Sequence, residues 1–173
     1  MNKNWHLAQM NVATALYPTD DPRMSGFMNR LDEVNALADA SPGFVWRLQS
    51  ESGNATDIDV GVPPPAPGQS FLVNMSVWES AESLFEYVYQ TMHREIMIQR
   101  RSWFERPNDM YQVLWWIPTG HIPTPEEGLE RLEHLKSNGP SPDAFTFKQR
   151  FPQPGSDDDP QDHQPDDFCS GWE

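Results

Sequence analysis

The chain has 173 residues, a formal net charge of −14 and a single cysteine, Cys169. That length fits one domain whose core needs no metal or disulfide staple. The acidity argues against general nucleic-acid binding, which needs Lys and Arg to neutralise phosphates. One cysteine excludes a disulfide framework within the chain.

No apolar run approaches the ~18 residues of a membrane span, so no membrane partner is expected. Residues 1–6 lack the apolar core of a signal peptide, and a cytoplasmic location is the default expectation. Seven Trp and nine Phe mark a dense core or an aromatic-lined cavity.

Residues 5–13 read as a strand. Asp20, Asp21 and Pro22 open a helix, with an acidic cap and Pro in the first turn. Met24, Phe27, Met28, Leu31, Val34 and Ala38 then recur at helical spacing, and Ser41 to Gly43 stop it. A second strand runs from Phe44 to about Gln49. Residues 50–70, rich in Gly, Pro, Ser and Asp, form a long irregular loop. Phe71 to Trp78 is the clearest strand. Glu79 or Ser80 caps a helix through Leu84, Phe85, Val88 and Met92, continuing with a kink near His93 to Phe104.

Residues 111–117 make a fourth strand. Thr124 caps a further helix, with Pro125 in its first turn and Glu127 placed to complete a capping box. Leu129, Leu132 and Leu135 give that helix an apolar stripe. Residues 144–151 suit a short fifth strand. From residue 152 onward there are seven acids, four Pro and no Lys or Arg, which predicts a disordered acidic tail over 152–173 after a domain of 1–151.

The order β-α-β-β-α-β is the split βαβ, ferredoxin-like arrangement. The fold class is therefore α+β, an antiparallel sheet with helices on one face and an extra C-terminal helix. Strand parity sorts the side chains. Phe71, Val73, Met75 and Val77 share one face, and Leu72, Asn74, Ser76 and Trp78 the other. The second parity collects Gln9, Asn11, Arg47, Asn74, Ser76 and Gln112, with Trp78 and Trp116. This reading places those residues on the face remote from the helices. They line either an enclosed cavity for a mostly apolar ligand or a sheet surface that is exposed or faces a second copy.

Seven segments carry a resemblance. They are Leu7 to Asn11, Leu31 to Leu37, Ser41 to Leu48, Asn74 to Glu79, Tyr87 to His93, Arg100 to Phe104 and Leu114 to Pro118. Over residues 5–151 the chain resembles an uncharacterised bacterial domain of unknown function. That domain lies within the antibiotic-biosynthesis-monooxygenase-like, dimeric α/β-barrel superfamily. The resemblance implies a homodimer whose two sheets pack back to back into a barrel. It implies no single activity, since that superfamily includes cofactor-free monooxygenases, haem proteins, isomerases and binding proteins.

His93 is the candidate catalytic base. In the cofactor-free oxygenases of that superfamily, removing a proton from an electron-rich aromatic substrate prepares it for oxygen. Arg101 is a candidate anchor for a carboxylate or phenolate, and His121 a candidate at the pocket mouth. Asn11, Arg47, Asn74 and Ser76 would orient the substrate, and Trp78 and Trp116 would stack on it. The five histidines show no paired ligand spacing, so no metal and no cofactor is expected. Haem ligation by His93 stays as an alternative. The leading expectation is a monooxygenase-like protein acting on a small aromatic or polyketide-like molecule. A non-catalytic dimer that binds a small hydrophobic ligand is the second.

Overall fold

The computed structural model describes residues 4–92, 100–157 and 161–162. Strand β1 spans Trp5–Ala15. The Asp21 side chain caps a 3-10 turn at Pro22–Met24 by accepting from the Arg23 backbone N–H, and helix α1 follows over Ser25–Ala40. Strands β2 (Phe44–Arg47) and β3 (Ser70–Trp78) come next, then helix α2 (Ala81–Met92). Residues 100–103 are helical. Strand β4 (Gln112–Pro118) and helix α3 (Pro125–Asn138) complete the main elements. Two-residue strands β5 (Gln149–Arg150) and β6 (Gln161–Asp162) form a small ribbon.

The four long strands make one antiparallel sheet in the order β2-β3-β1-β4. Gln9 faces Ser76 and Asn11 faces Asn74 across β1 and β3. Side chains alternate with period two, so this register sets the two faces. One face carries Leu7, Gln9, Asn11, Asn74, Ser76, Trp78 and Leu114. The other carries Ala8, Met10, Val73, Met75, Val77, Val113 and Trp115. A register shift between Phe44 and Trp46 adds an extra residue to β2. Phe44 and Arg47 therefore both fall on the amide-bearing face.

The faces are covered differently from the sequence expectation. Ala38 of α1 and Leu84 of α2 pack with Leu7, Trp78 and Leu114, so α1 and α2 cover the amide-bearing face. They do not lie on the opposite one. The all-apolar face is covered by α3, through Leu132 and Leu135 against Ala8, Met10, Met75, Val77 and Trp115. The physical reason is satisfaction. An all-apolar face gains most from complete dehydration, while on the other face Gln9, Asn74, Ser76 and Trp78 are hydrogen-bonded to one another and tolerate enclosure. The amide-bearing face, which was expected to meet a second copy, is thus covered by this chain's own α1 and α2, and α3 covers the other.

Two glycines set these contacts. Gly43, with φ +80, makes the turn from α1 into β2, and a Cβ there would lie 2.6 Å from the Ser83 Cβ. Only glycine fits both the left-handed backbone and the approach of α2. Gly128 lets α3 rest on the sheet, since a Cβ there would lie 2.6 Å from Met10 Cε.

The Thr124 hydroxyl accepts from the Glu127 backbone N–H at 3.2 Å, as the capping pattern predicts. The Glu127 carboxylate does not return to the cap. It accepts from the Trp115 indole at 3.1 Å and bonds His121 Nε2 at 2.8 Å. It therefore ties α3 to β4. The expected strand over 144–151 is reduced to a bridge between Phe145 and Leu114 and the pair Gln149–Arg150. The ribbon partner Gln161–Asp162 carries described structure past residue 151. Cys169 and the tail from 163 lie outside the described residues. Among the described residues no helix is long and apolar enough to cross a membrane.

Candidate functional site

On the amide-bearing face, past the end of the Trp78 cluster, the packing opens into a cavity of about 200 Å³. Its floor is the sheet, with Asn11 and Ala13 from β1 and Leu72 and Asn74 from β3. Phe27 of α1 forms one wall. Phe104 and Arg100 form another, and Ala55 and Thr56 of the loop after β2 close a third. The apolar walls are anchored in a buried cluster of Ala15, Met24, Leu72 and Trp103. Phe27 and Phe104 meet edge to face, with ring centroids 4.9 Å apart, a favoured aromatic geometry.

The loop wall is braced by its own polar groups. Ser50 N–H donates to the Asn54 carbonyl at 2.8 Å, and Gly53 N–H donates to the Ser50 carbonyl at 3.0 Å. The Ser50 hydroxyl donates to the Asp57 carboxylate at 2.7 Å, and this bond lowers the Asp57 pKa from its ordinary value. The Thr56 backbone N–H and hydroxyl both donate to the Asn54 carboxamide oxygen, at 3.0 and 2.6 Å. Arg47 fastens the loop from beneath. Its Nε donates to Asp39 of α1 at 2.8 Å and its Nη1 to the Gly53 carbonyl at 2.7 Å. One guanidinium thus joins helix, strand and loop, a use that suits its rigid fork.

Beside the cavity runs a buried polar chain. Trp78 Nε1 donates to Ser76 Oγ at 2.8 Å. Gln9 Nε2 donates to Ser76 Oγ and to Asn74 Oδ1, each at 2.8 Å. Gln9 and Ser76 are the buried polar residues of the core. Trp78 stacks on Tyr87 at 5.0 Å between centroids. Burial pushes the Tyr87 hydroxyl up to about 12.

Two of the sequence candidates, Asn11 and Asn74, come together in the cavity lining. Ser76 and Trp78 are buried beside it and are held by each other. Arg47 acts on the loop wall. Arg101 is exposed, and its neighbour Arg100 lines the cavity instead. Trp116 donates through its indole to the Phe151 carbonyl at 2.9 Å and packs at the sheet edge. His121 is exposed and bonded to Glu127 on the α3 side of the sheet. His93 lies outside the described residues. Phe27, Thr56, Ala13 and Phe104 were missed, although Phe27 and Phe104 belong to helical apolar patterns visible in the sequence. Among the described residues no cluster of three or more His, Cys, Asp or Glu is placed to hold a metal ion.

Residues 6–162 match a family described as a domain of unknown function, DUF3291. The chain belongs to the DUF3291 family. Among solved structures, one similar chain is a protein of unknown function, NE2512 from Nitrosomonas europaea. It is 10% identical, with a TM-score of 0.43, over 71% of this chain and 97% of that one. The curated proteins contain no match.

Proposed function

We propose that this DUF3291 chain binds one small, largely apolar organic molecule in the cavity between the sheet, α1 and the loop after β2. The observation that carries the reading is the lining itself. Phe27, Leu72 and Phe104 supply apolar walls, and Asn11, Asn74, Thr56 and Arg100 also line the cavity. Binding sites combine apolar walls with a few placed polar groups in this way. An apolar cavity of roughly 150 Å³ takes up benzene, so about 200 Å³ suits a single substituted ring.

The ferredoxin-like reading of the fold rests on the strand order and on the crossovers α1 and α2 lying over one sheet face. Membership of the monooxygenase-like superfamily rests on the sequence resemblance. Cofactor-free oxygenation of the expected kind needs a base at the ring, and the described lining residues contain no carboxylate, His or Cys. The catalytic reading therefore depends on His93. Ligand binding is the part the geometry supports. The homodimer rests on the sequence resemblance alone.

Acetophenone is a suitable probe of the cavity. It is expected to bind the protein saturably in a ligand-observed NMR titration. Ala13→Phe, which fills the floor, is expected to weaken binding at least about tenfold. It is expected to keep the fold, at an overpacking cost of about 1–3 kcal/mol. Equal binding by the folded variant and the parent would place the ligand elsewhere and overturn the proposal.

A further inference from the structure

From the directions of the hydrogen bonds beneath the cavity, we infer that Gln9 is a specificity-determining residue. It turns the Asn74 carboxamide so that the site selects ligands bearing a hydrogen-bond acceptor, a ketone or other carbonyl, over ligands bearing a donor. The inference rests on the reading of the cavity as a binding site and names the ligand class it takes.

The donors and acceptors can be counted one by one. An indole N–H can only donate. Trp78 is fully buried and donates to Ser76 Oγ at 2.8 Å. That fixes one lone pair of the Ser76 oxygen. The Gln9 amide nitrogen donates to the same oxygen at 2.8 Å and takes the second. An amide nitrogen carries two hydrogens, and the other goes to Asn74 Oδ1 at 2.8 Å. Both hydrogens of the Gln9 nitrogen are then spent. The Asn74 oxygen is occupied from below, which leaves the Asn74 NH₂ group for the cavity.

The strand register makes this arrangement specific to these positions. Gln9 lies opposite Ser76, and Asn74 lies one step diagonally away on the same face. Trp78 lies two residues along β3 from Ser76, again on that face. The chain starts at the Trp78 indole, passes a Ser76 hydroxyl that can both donate and accept, takes its direction from the orientation of the Gln9 amide, and ends at the cavity wall. Asn11, the cross-strand partner of Asn74, also lines the cavity and makes no hydrogen bond fixing its amide among the described residues. Its amide can follow the ligand, whereas that of Asn74 is set. A carbonyl oxygen pointing at Asn74 gains a bond. An amino group there meets a donor and gains no bond.

The test uses two uncharged ring compounds, acetophenone as acceptor probe and aniline as donor probe, titrated against the full chain by ligand-observed NMR at neutral pH. The parent is expected to bind acetophenone about tenfold more tightly than aniline, a factor typical of one hydrogen bond made or lost. Gln9→Met keeps the buried volume and removes the fixing bond, and its preference is expected to fall to within about twofold of unity. Asn74→Leu replaces an exposed residue, so folding is at little risk, and it is expected to lose the preference equally. A residue that only supported the fold would weaken both probes together and leave their ratio unchanged. A parent that binds both probes equally, or prefers aniline, overturns the inference while leaving the cavity reading intact. Retention of the full preference by either variant also overturns it. Binding of neither probe by the parent overturns the cavity reading and this inference with it.

Discussion

Trp78→Ala is expected to destabilise the fold by about 3–5 kcal/mol, the range for emptying a buried Trp site, measured by urea unfolding. Trp78 is 0% exposed. Its ring stacks on Tyr87 and meets Phe44 edge to face at 5.5 Å, so one side chain joins β3 to both α2 and the start of β2. Alanine would also remove the donor to Ser76 Oγ. Trp78→Phe isolates the two contributions, since it keeps most of the ring packing and loses the N–H. It is expected to cost less than half as much.

The same variant has a pH signature. Burial pushes the Tyr87 hydroxyl up to about 12 from an ordinary value of 10.0. The unfolded chain therefore releases this proton at lower pH than the folded chain does. The contribution is complete below about pH 10 and is lost as pH rises through about 12. Removing the Trp78 ring admits water to the phenol, so the tyrosinate absorbance of Trp78→Ala should rise at lower pH than that of the parent. An unchanged titration together with an unchanged unfolding midpoint would mean that Trp78 does not pack as described.

Leu135→Ala is expected to cost about 2–5 kcal/mol and to loosen the opposite face of the sheet. Leu135 is fully buried against the sheet residues Ala8, Met10, Val77 and Trp115. Burying a Leu side chain stabilises by roughly 1.5–3 kcal/mol, and an unfilled cavity adds to the loss. The expected result is a lower urea midpoint, together with faster amide exchange along α3 than in the parent. If α3 were a surface appendage and a second chain covered the sheet, the substitution would instead leave stability unchanged at low protein concentration.

The elements were legible in the sequence where local chemistry decides them. Asp21 with Pro22, and Thr124 with Pro125, marked helix starts that the structure keeps. The alternation in residues 71–78 marked β3 and its two parities. Which face the helices cover was not legible. Parity sorts side chains into two sets but does not say which set lies under α1 and α2. The presence of the amides pointed to the wrong answer, because their mutual pairing makes enclosure inexpensive. The role of Glu127 was half legible. Its position predicted the cap, yet its carboxylate serves Trp115 and His121, groups that only the fold brings near.

The cavity was legible in part for the same reason. Asn11 and Asn74 stood out as polar residues among apolar ones on a common parity. Phe27 and Phe104 belong to other elements and reach the site only through tertiary packing. Arg100 and Arg101 could not be told apart by sequence, since one residue along a helix changes the direction of the side chain by about 100°. His121 and Trp116 were drawn to the pocket by their chemistry and are held at the far side and the edge of the sheet by Glu127 and the Phe151 carbonyl.

The proposed ligand site lies on the amide-bearing face, between α1, the segment of Arg100 and Phe104, and the loop after β2. The most direct measurement is a two-dimensional NMR titration of the side-chain amides of the isotope-labelled protein with acetophenone. The NH₂ signals of Asn74 and Asn11 are expected to shift in step and saturate, while that of Asn138 at the end of α3 stays in place. Saturable binding that leaves Asn74 and Asn11 unmoved, or that shifts signals of α3 and the sheet face beneath it, would place the ligand elsewhere and overturn the proposed site.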